Sequence, residues 1–168
     1  MSRLLTKTRD ACMFLRTTTS LTGIRILQTP RTQFTLRRMS THPSLTVVST
    51  TDAPGAIGPY SQAIKVADLL FVSGCIPMDP KTGQIVEGIE KQTAQALKNL
   101  TAVVEAGGSE IGKVVKTTVF LKDMNDFVTV NGIYAAAFGS HKPARSAVEV
   151  ARLPKDVLVE VECIASLK

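Results

Sequence analysis

From Leu45 to the C-terminus, apolar residues recur with two different periods, and the switches between them mark the elements. Leu45–Ser49 reads as a first strand, and Ala63–Val66 and Leu69–Ser73 flank Ala67-Asp68 as the two arms of a hairpin. Between them Thr51–Pro59 is expected to be a loop: it holds Pro54, Gly55, Gly58 and Pro59, and Tyr60 stands at its exit. Gly74 through Gly83, with two prolines and Lys81-Thr82-Gly83, is a second turn region. Over Gly88–Ala106 the period becomes helical, with Ile89, Thr93, Ala96, Leu97, Leu100, Val103 and Val104 on one face, and Gly107-Gly108 ends the run. Val114–Leu121 is β-branched and reads as a strand. Asn125 or Asp126 can cap a second helix reaching Phe138, with Phe127, Val130, Tyr134 and Phe138 at helical spacing. Arg145–Val150 and Val157–Ser166 supply two closing strands. The order β-β-β-α-β-α-β-β is α+β, with both helices expected on one face of the sheet.

The last strand shows which face is which. Val157, Val159, Val161, Cys163 and Ala165 alternate to one side and must be core. Leu158, Glu160, Glu162 and Ile164 take the other. That mixture of carboxylates and aliphatics is unusual for a face open to water and suggests partial cover by another chain, with an ordinary solvated sheet face as the other reading of the same pattern.

Charge is distributed unevenly. Residues 1–42 carry Arg3, Lys7, Arg9, Arg16, Arg25, Arg31, Arg37 and Arg38 against Asp10 alone, a net of +7. Taking this from the whole-chain +6 leaves −1 for residues 43–168. A domain so near neutrality lacks the clustered cations that displace counterions from a phosphate backbone, so nucleic acid is not an expected partner. The basic segment, rich in Arg, Ser and Thr with Leu4, Leu5, Phe14 and Leu15 interspersed, has the composition of a mitochondrial transit peptide. Residues 1–42 are therefore assigned to targeting and 43–168 to the folded domain, which places the protein in the mitochondrial matrix. Met39, after Arg37-Arg38, is a candidate internal start for a cytosolic form. No window approaches the ~18 apolar residues of a membrane span.

Cys12, Cys75 and Cys163 have no CxxC spacing, and His42 and His141 are the only histidines, so no metal site is expected. Phosphate-loop, dinucleotide, zinc-protease and serine-hydrolase signatures are absent. No tryptophan and two tyrosines offer a poor stacking platform for single strands.

A few polar residues remain in places where an apolar sheet protein gains nothing from them. Arg145 opens an apolar strand after Lys142-Pro143-Ala144; its guanidinium either snorkels to solvent or faces a pocket, where it can grip a carboxylate through two parallel hydrogen bonds. Tyr60 either packs or offers its hydroxyl to a ligand. Glu160 can activate a water, and by parity so can Glu162. Asn131, inside the second helix, faces a pocket or solvent.

Three separated motifs carry a family resemblance: Gly58-Pro59-Tyr60-Ser61-Gln62, Val72-Ser73-Gly74-Cys75-Ile76-Pro77, and Pro143 through Pro154 (PARSAVEVARLP). Together they closely resemble the Rid/YjgF family from about residue 45 onward, and within it the RidA group and its mitochondrial fungal members. The resemblance implies a chorismate-mutase-like fold and a homotrimer with pockets between subunits. It also implies cofactor-free hydrolysis of 2-aminoacrylate and 2-iminobutanoate, which arise from pyridoxal-phosphate-dependent serine and threonine dehydratases, to 2-keto acids and ammonia. In that reading Arg145 clamps the carboxylate, Glu160 handles the water and Tyr60 fixes or protonates the substrate. Ser73, Gly74, Asn131 and Ala147 line the pocket. Many members have Cys where this chain has Ala147 and Gln where it has Cys75. Two other readings stand beside this one: a non-catalytic trimeric protein binding small carboxylates in mitochondrial maintenance, and a translation inhibitor or ribonuclease-like protein.

Overall fold

The computed structural model describes residues 42–168. The expected targeting segment up to residue 41, Cys12 and the candidate start Met39 lie outside the described residues. Six strands, β1 (Leu45–Val48), β2 (Ala63–Val66), β3 (Leu69–Cys75), β4 (Val114–Leu121), β5 (Ala144–Glu149) and β6 (Val159–Ser166), alternate with two helices, α1 (Ile89–Ala106) and α2 (Phe127–Phe138). The chain order is the one the hydrophobic pattern predicts. The strands form one sheet in the order β1-β2-β3-β6-β4-β5. All neighbours are antiparallel except β4 and β5, which α2 joins as a parallel pair.

β6 enters the middle of the sheet, between β3 and β4, and so divides its residues between two environments. Val159, Val161, Cys163 and Ala165 are buried against Leu97, Leu100, Val103 and Val104 of α1. Burying each such aliphatic side chain contributes about 1.5–3 kcal/mol, enough in aggregate to hold α1 on the sheet. α2 adds Val130, Tyr134 and Phe138 to the same core. The opposite face carries no helix. Phe71 is 41% exposed there and Val148 likewise, while Glu160, Glu162 and Ile164 are half-buried.

Two local differences from the sequence reading matter. β3 runs two residues further than expected, to Cys75, because a bulge between Val72 and Cys75 lets it keep pairing with β6. A bulge leaves an unpaired residue and re-aims its neighbours, here at Ser73-Gly74. Asp126 holds the N-cap position of α2, as one of the two expected residues, but its side chain makes no capping hydrogen bond; a single 3-10 turn, Met124–Asp126, precedes the helix, and the Asp123 side chain accepts from the Asn125 N–H. Asp123 wins because it is the last extended residue before the turn, which is where a capping side chain can reach back.

Candidate functional site

The bulge, the loop before β2 and the start of β6 converge on a cleft of about 290 Å³ lined by Ile57, Tyr60, Ser73, Gly74, Pro154 and Glu160. Four of the expected site residues therefore meet. Glu160 lies so close over Gly74 that a β-carbon there would overlap its carboxylate oxygen, so glycine is required beneath it. Its carboxylate makes no hydrogen bond or ion pair with any described residue. Burial, and secondarily the charge of Glu162 two residues along the same face, hold its pKa above the ordinary carboxylate value. A carboxylate raised in this way and open to a cleft suits a group that takes a proton from water near neutral pH. The register also separates the two acids that parity left equivalent: Glu160 lines the cleft, whereas Glu162 lies on the open face beside Phe71, Lys116 and Thr118.

The cleft is held by hydrogen bonds from Ser73 in its wall and from buried amides behind it. Ser73 donates its hydroxyl to the Ser61 carbonyl (2.7 Å) and its N–H to the Gln62 carbonyl (3.0 Å). The buried Gln62 amide accepts from the Thr50 N–H and donates to the carbonyls of Thr50, Ala53 and Pro54, tying the loop down. Asn99 donates to the Ile76 and Met78 carbonyls, both at 2.9 Å, and fixes the turn after β3. Gln92 accepts from the Leu158 N–H at the start of β6. The sequence reading passed over all three amides. A signal existed for two of them: Gln92, Ala96, Asn99 and Val103 share one helical face, so polar side chains stood at inward positions.

Arg145, Asn131 and Ala147 are elsewhere. Arg145 and Ala147 point to the helix side of edge strand β5, opposite Thr117 and Val119. The Arg145 guanidinium lies 4.8 Å from the centre of the Tyr134 ring and 5.6 Å from that of Phe127, stacked on α2. Tyr134 is itself anchored by a 2.7 Å hydrogen bond to Thr117. No carboxylate among the described residues pairs with Arg145; the ion pairs there are Lys113–Glu110, Arg152–Asp156 and Lys168–Asp68. Asn131 lies on the same helical face as Phe127 and Tyr134, and its Oδ1 is buried without a hydrogen-bond partner. A held cation fork beside an unsatisfied acceptor is a half-built site for a ligand with an anionic end and an N–H or O–H.

The two halves do not meet within one chain. Glu160 aligns with Phe120 and through it with Val148, so Arg145 is two strands across and three residues along. Strand spacings of about 4.8 Å and rises of about 3.3 Å place the two α-carbons roughly 14 Å apart. Their side chains leave opposite faces. Among the described residues no group of three or more His, Cys, Asp or Glu could hold a metal ion, and no helix is long and apolar enough to cross a membrane.

Comparison with known proteins agrees with these motifs. The family model described as endoribonuclease L-PSP matches residues 50–167. A RutC family protein of Pyrococcus horikoshii is 59% identical over 120 residues, 71% of this chain and 95% of that protein. A 2-iminobutanoate/2-iminopropanoate deaminase of Salmonella typhimurium is 54% identical over 121 residues, 70% and 94%. The crystal structure of Escherichia coli TdcF with bound serine superposes with a TM-score of 0.70 at 45% identity, covering 72% of this chain and 98% of that one. With a family model spanning well over half of it and relatives above half identity along almost their whole length, the chain belongs to the endoribonuclease L-PSP family, the Rid/YjgF family.

Proposed function

We propose that the protein is a 2-iminobutanoate/2-iminopropanoate deaminase, working at sites assembled from two copies of the chain. The observation that carries this reading is the unpaired Arg145 guanidinium, stacked on Tyr134 and Phe127 on one sheet face while the unpartnered Glu160 carboxylate occupies the cleft on the other. Each half lacks what the other supplies. A cyclic homotrimer repeats one heterologous contact three times, and bringing β5 and α2 of one copy to the cleft of the next completes three such sites. The half-buried Glu160 face fits that arrangement, as does the serine bound to TdcF, an amino acid with the same α-carboxylate as the proposed substrates.

The reaction then follows from the groups. Arg145 holds the substrate carboxylate and leaves the adjacent C=N carbon facing Glu160. Water attacks that carbon as its proton passes to the Glu160 carboxylate, and the C=N electron pair moves to nitrogen. Glu160 returns that proton to nitrogen, giving the neutral carbinolamine; the hydroxyl proton then passes by way of the same carboxylate to nitrogen as the C=O bond forms and the C–N bond breaks, so ammonia leaves and the 2-keto acid remains. Tyr60 orients the substrate by its hydroxyl, Asn131 offers its free Oδ1 to the substrate N–H, and the backbone at Ser73-Gly74 and Ala147 lines the site. Because imines hydrolyse unaided, orientation with one proton relay lowers the barrier sufficiently without a cofactor.

The imines come from pyridoxal-phosphate-dependent threonine and serine dehydratases, which makes these enzymes functional partners. The basic, acid-poor segment 1–42 supports a mitochondrial location. N-terminal sequencing of the protein from mitochondria and cytosol tests it, and a single cytosolic product rejects it. For the activity, the purified protein is coupled to threonine dehydratase and imine loss is followed. Native protein is expected to accelerate it and Arg145→Ala to lose most of the effect. Equal rates reject the clamp, and no acceleration by either favours a carboxylate-binding protein without catalysis.

A further inference from the structure

Arg145 has no carboxylate partner among the described residues, yet its guanidinium is not left loose. It is half-buried, 4.8 Å from the centre of the Tyr134 ring and 5.6 Å from that of Phe127. A planar, weakly hydrated guanidinium stacks on aromatic faces, so the ring sets the plane of the fork. What sets the ring is a pair of hydroxyls. Tyr134 Oη stands 2.7 Å from Thr117 Oγ1. Phe138, one helical turn further on, stacks on the same ring with centroids 4.3 Å apart and planes inclined by 20°.

Folding alone gives no reason for this pair. Thr117 is fully buried and Tyr134 is 8% exposed, within a core of valines, leucines and Phe138. Two buried hydroxyls that satisfy only each other add little over an apolar pair of the same shape, Val with Phe, and both must first be desolvated. Their placement supplies the reason. In the parallel pairing of β4 with β5, Thr117 is the register partner of Arg145. The residue that pins the ring and the residue stacked on it are therefore neighbours across one pair of strands, and Tyr134 reaches both from α2.

We infer that Tyr134, pinned by the Thr117 hydroxyl, is a positioning residue that aims the Arg145 fork at the substrate carboxylate. The inference rests on the proposed deaminase reading and adds to its clamp two residues that act through Arg145. An unheld arginine samples many rotamers, and every orientation turned away from the ligand weakens a two-point grip on a carboxylate. With the ring fixed at its hydroxyl end, the fork waits in one plane before the ligand arrives, and binding has less freedom left to remove.

The test uses the full chain with Tyr134→Phe and Thr117→Val, each lacking one hydroxyl, the double variant lacking both, and Thr117→Ser, which keeps the hydroxyl. KM and kcat are measured for 2-iminobutanoate generated in place by an amino-acid oxidase with catalase. Titration calorimetry gives the Kd of the carboxylate product, 2-ketobutanoate, and scanning calorimetry gives the Tm. Each single variant is expected to raise KM and Kd about ten-fold while kcat falls less, because the carboxylate is gripped alike in the ground and transition states. Each should also lose Tm, since one buried hydroxyl is left unsatisfied. The double variant separates positioning from packing: its Tm recovers toward native, whereas its KM and Kd stay raised. Thr117→Ser should keep native KM and Kd. Should a single variant fail to fold, the double variant and Thr117→Ser still decide. KM and Kd that never rise, that return to native with the Tm in the double variant, or that are as impaired in Thr117→Ser as in Thr117→Val overturn the inference. A native protein that binds 2-ketobutanoate without hydrolysing the imine sinks the deaminase reading alone, and the Kd series then decides the positioning role. One that neither binds nor hydrolyses overturns both.

Discussion

Two variants that are each inactive, Arg145→Ala and Glu160→Gln, are expected to restore activity to one another when their subunits are exchanged. The two groups leave opposite faces of the sheet with α-carbons roughly 14 Å apart, by strand spacing and rise. No single chain can bring both to one small imino acid. Losing the guanidinium removes two charge-assisted hydrogen bonds of about 1.5–3 kcal/mol each, a fall of at least about a hundred-fold in kcat/KM. Losing the carboxylate removes proton transfer worth about 10²–10⁴-fold. In a cyclic trimer each site takes Arg145 from one copy and Glu160 from its neighbour. Random equimolar mixing then puts both variants in roughly three quarters of trimers, and each mixed trimer has one fully native site of three, so about one quarter of native activity returns. The assay is imine loss after joint unfolding and refolding, with native mass spectrometry confirming mixed assemblies. Confirmed mixed trimers no more active than the separate variants would refute the intersubunit site.

The raised pKa of Glu160 gives a pH prediction with a definite sign. The carboxylate must be ionised to accept water's proton, so kcat/KM falls as pH drops through its raised value, and Glu162→Gln, by removing the secondary cause, moves that acid limb to lower pH. An unmoved limb would show that Glu160 is not the titrating base. Folding raises this pKa, so its contribution to stability is present at low pH and lost as pH rises through the folded value; Glu160→Gln should therefore raise the Tm at pH 7 while abolishing activity, and differential scanning calorimetry reads the change. Gly74→Ala places a β-carbon where the Glu160 carboxylate lies, and only the end of a flexible side chain has to move. A loss of at least ten-fold in kcat with a Tm within a few degrees of native is expected, as for a displaced general base; undiminished kcat would mean that the position of Glu160 does not matter.

The sequence determined the elements because their signals are local. The helical period of α1, the β-branched run of β4 and the alternation of β6 each fix a structure within a few residues, and their order limits the fold to α+β. It determined the chemistry of the candidates too, since Arg145, Glu160 and Tyr60 carry their functional groups wherever they are placed. It left Glu160 and Glu162 equivalent, because alternation assigns a face but not a position along it. Only the pairing of β6 with β3, separated by nearly the whole domain in sequence, puts Glu160 over the Gly74 bulge and Glu162 out on the open face. The same long-range register sends Arg145 to the far side of the sheet, onto the Tyr134 and Phe127 rings. Which groups share a site is settled by strand order and register, and these depend on contacts between distant segments that no local pattern encodes.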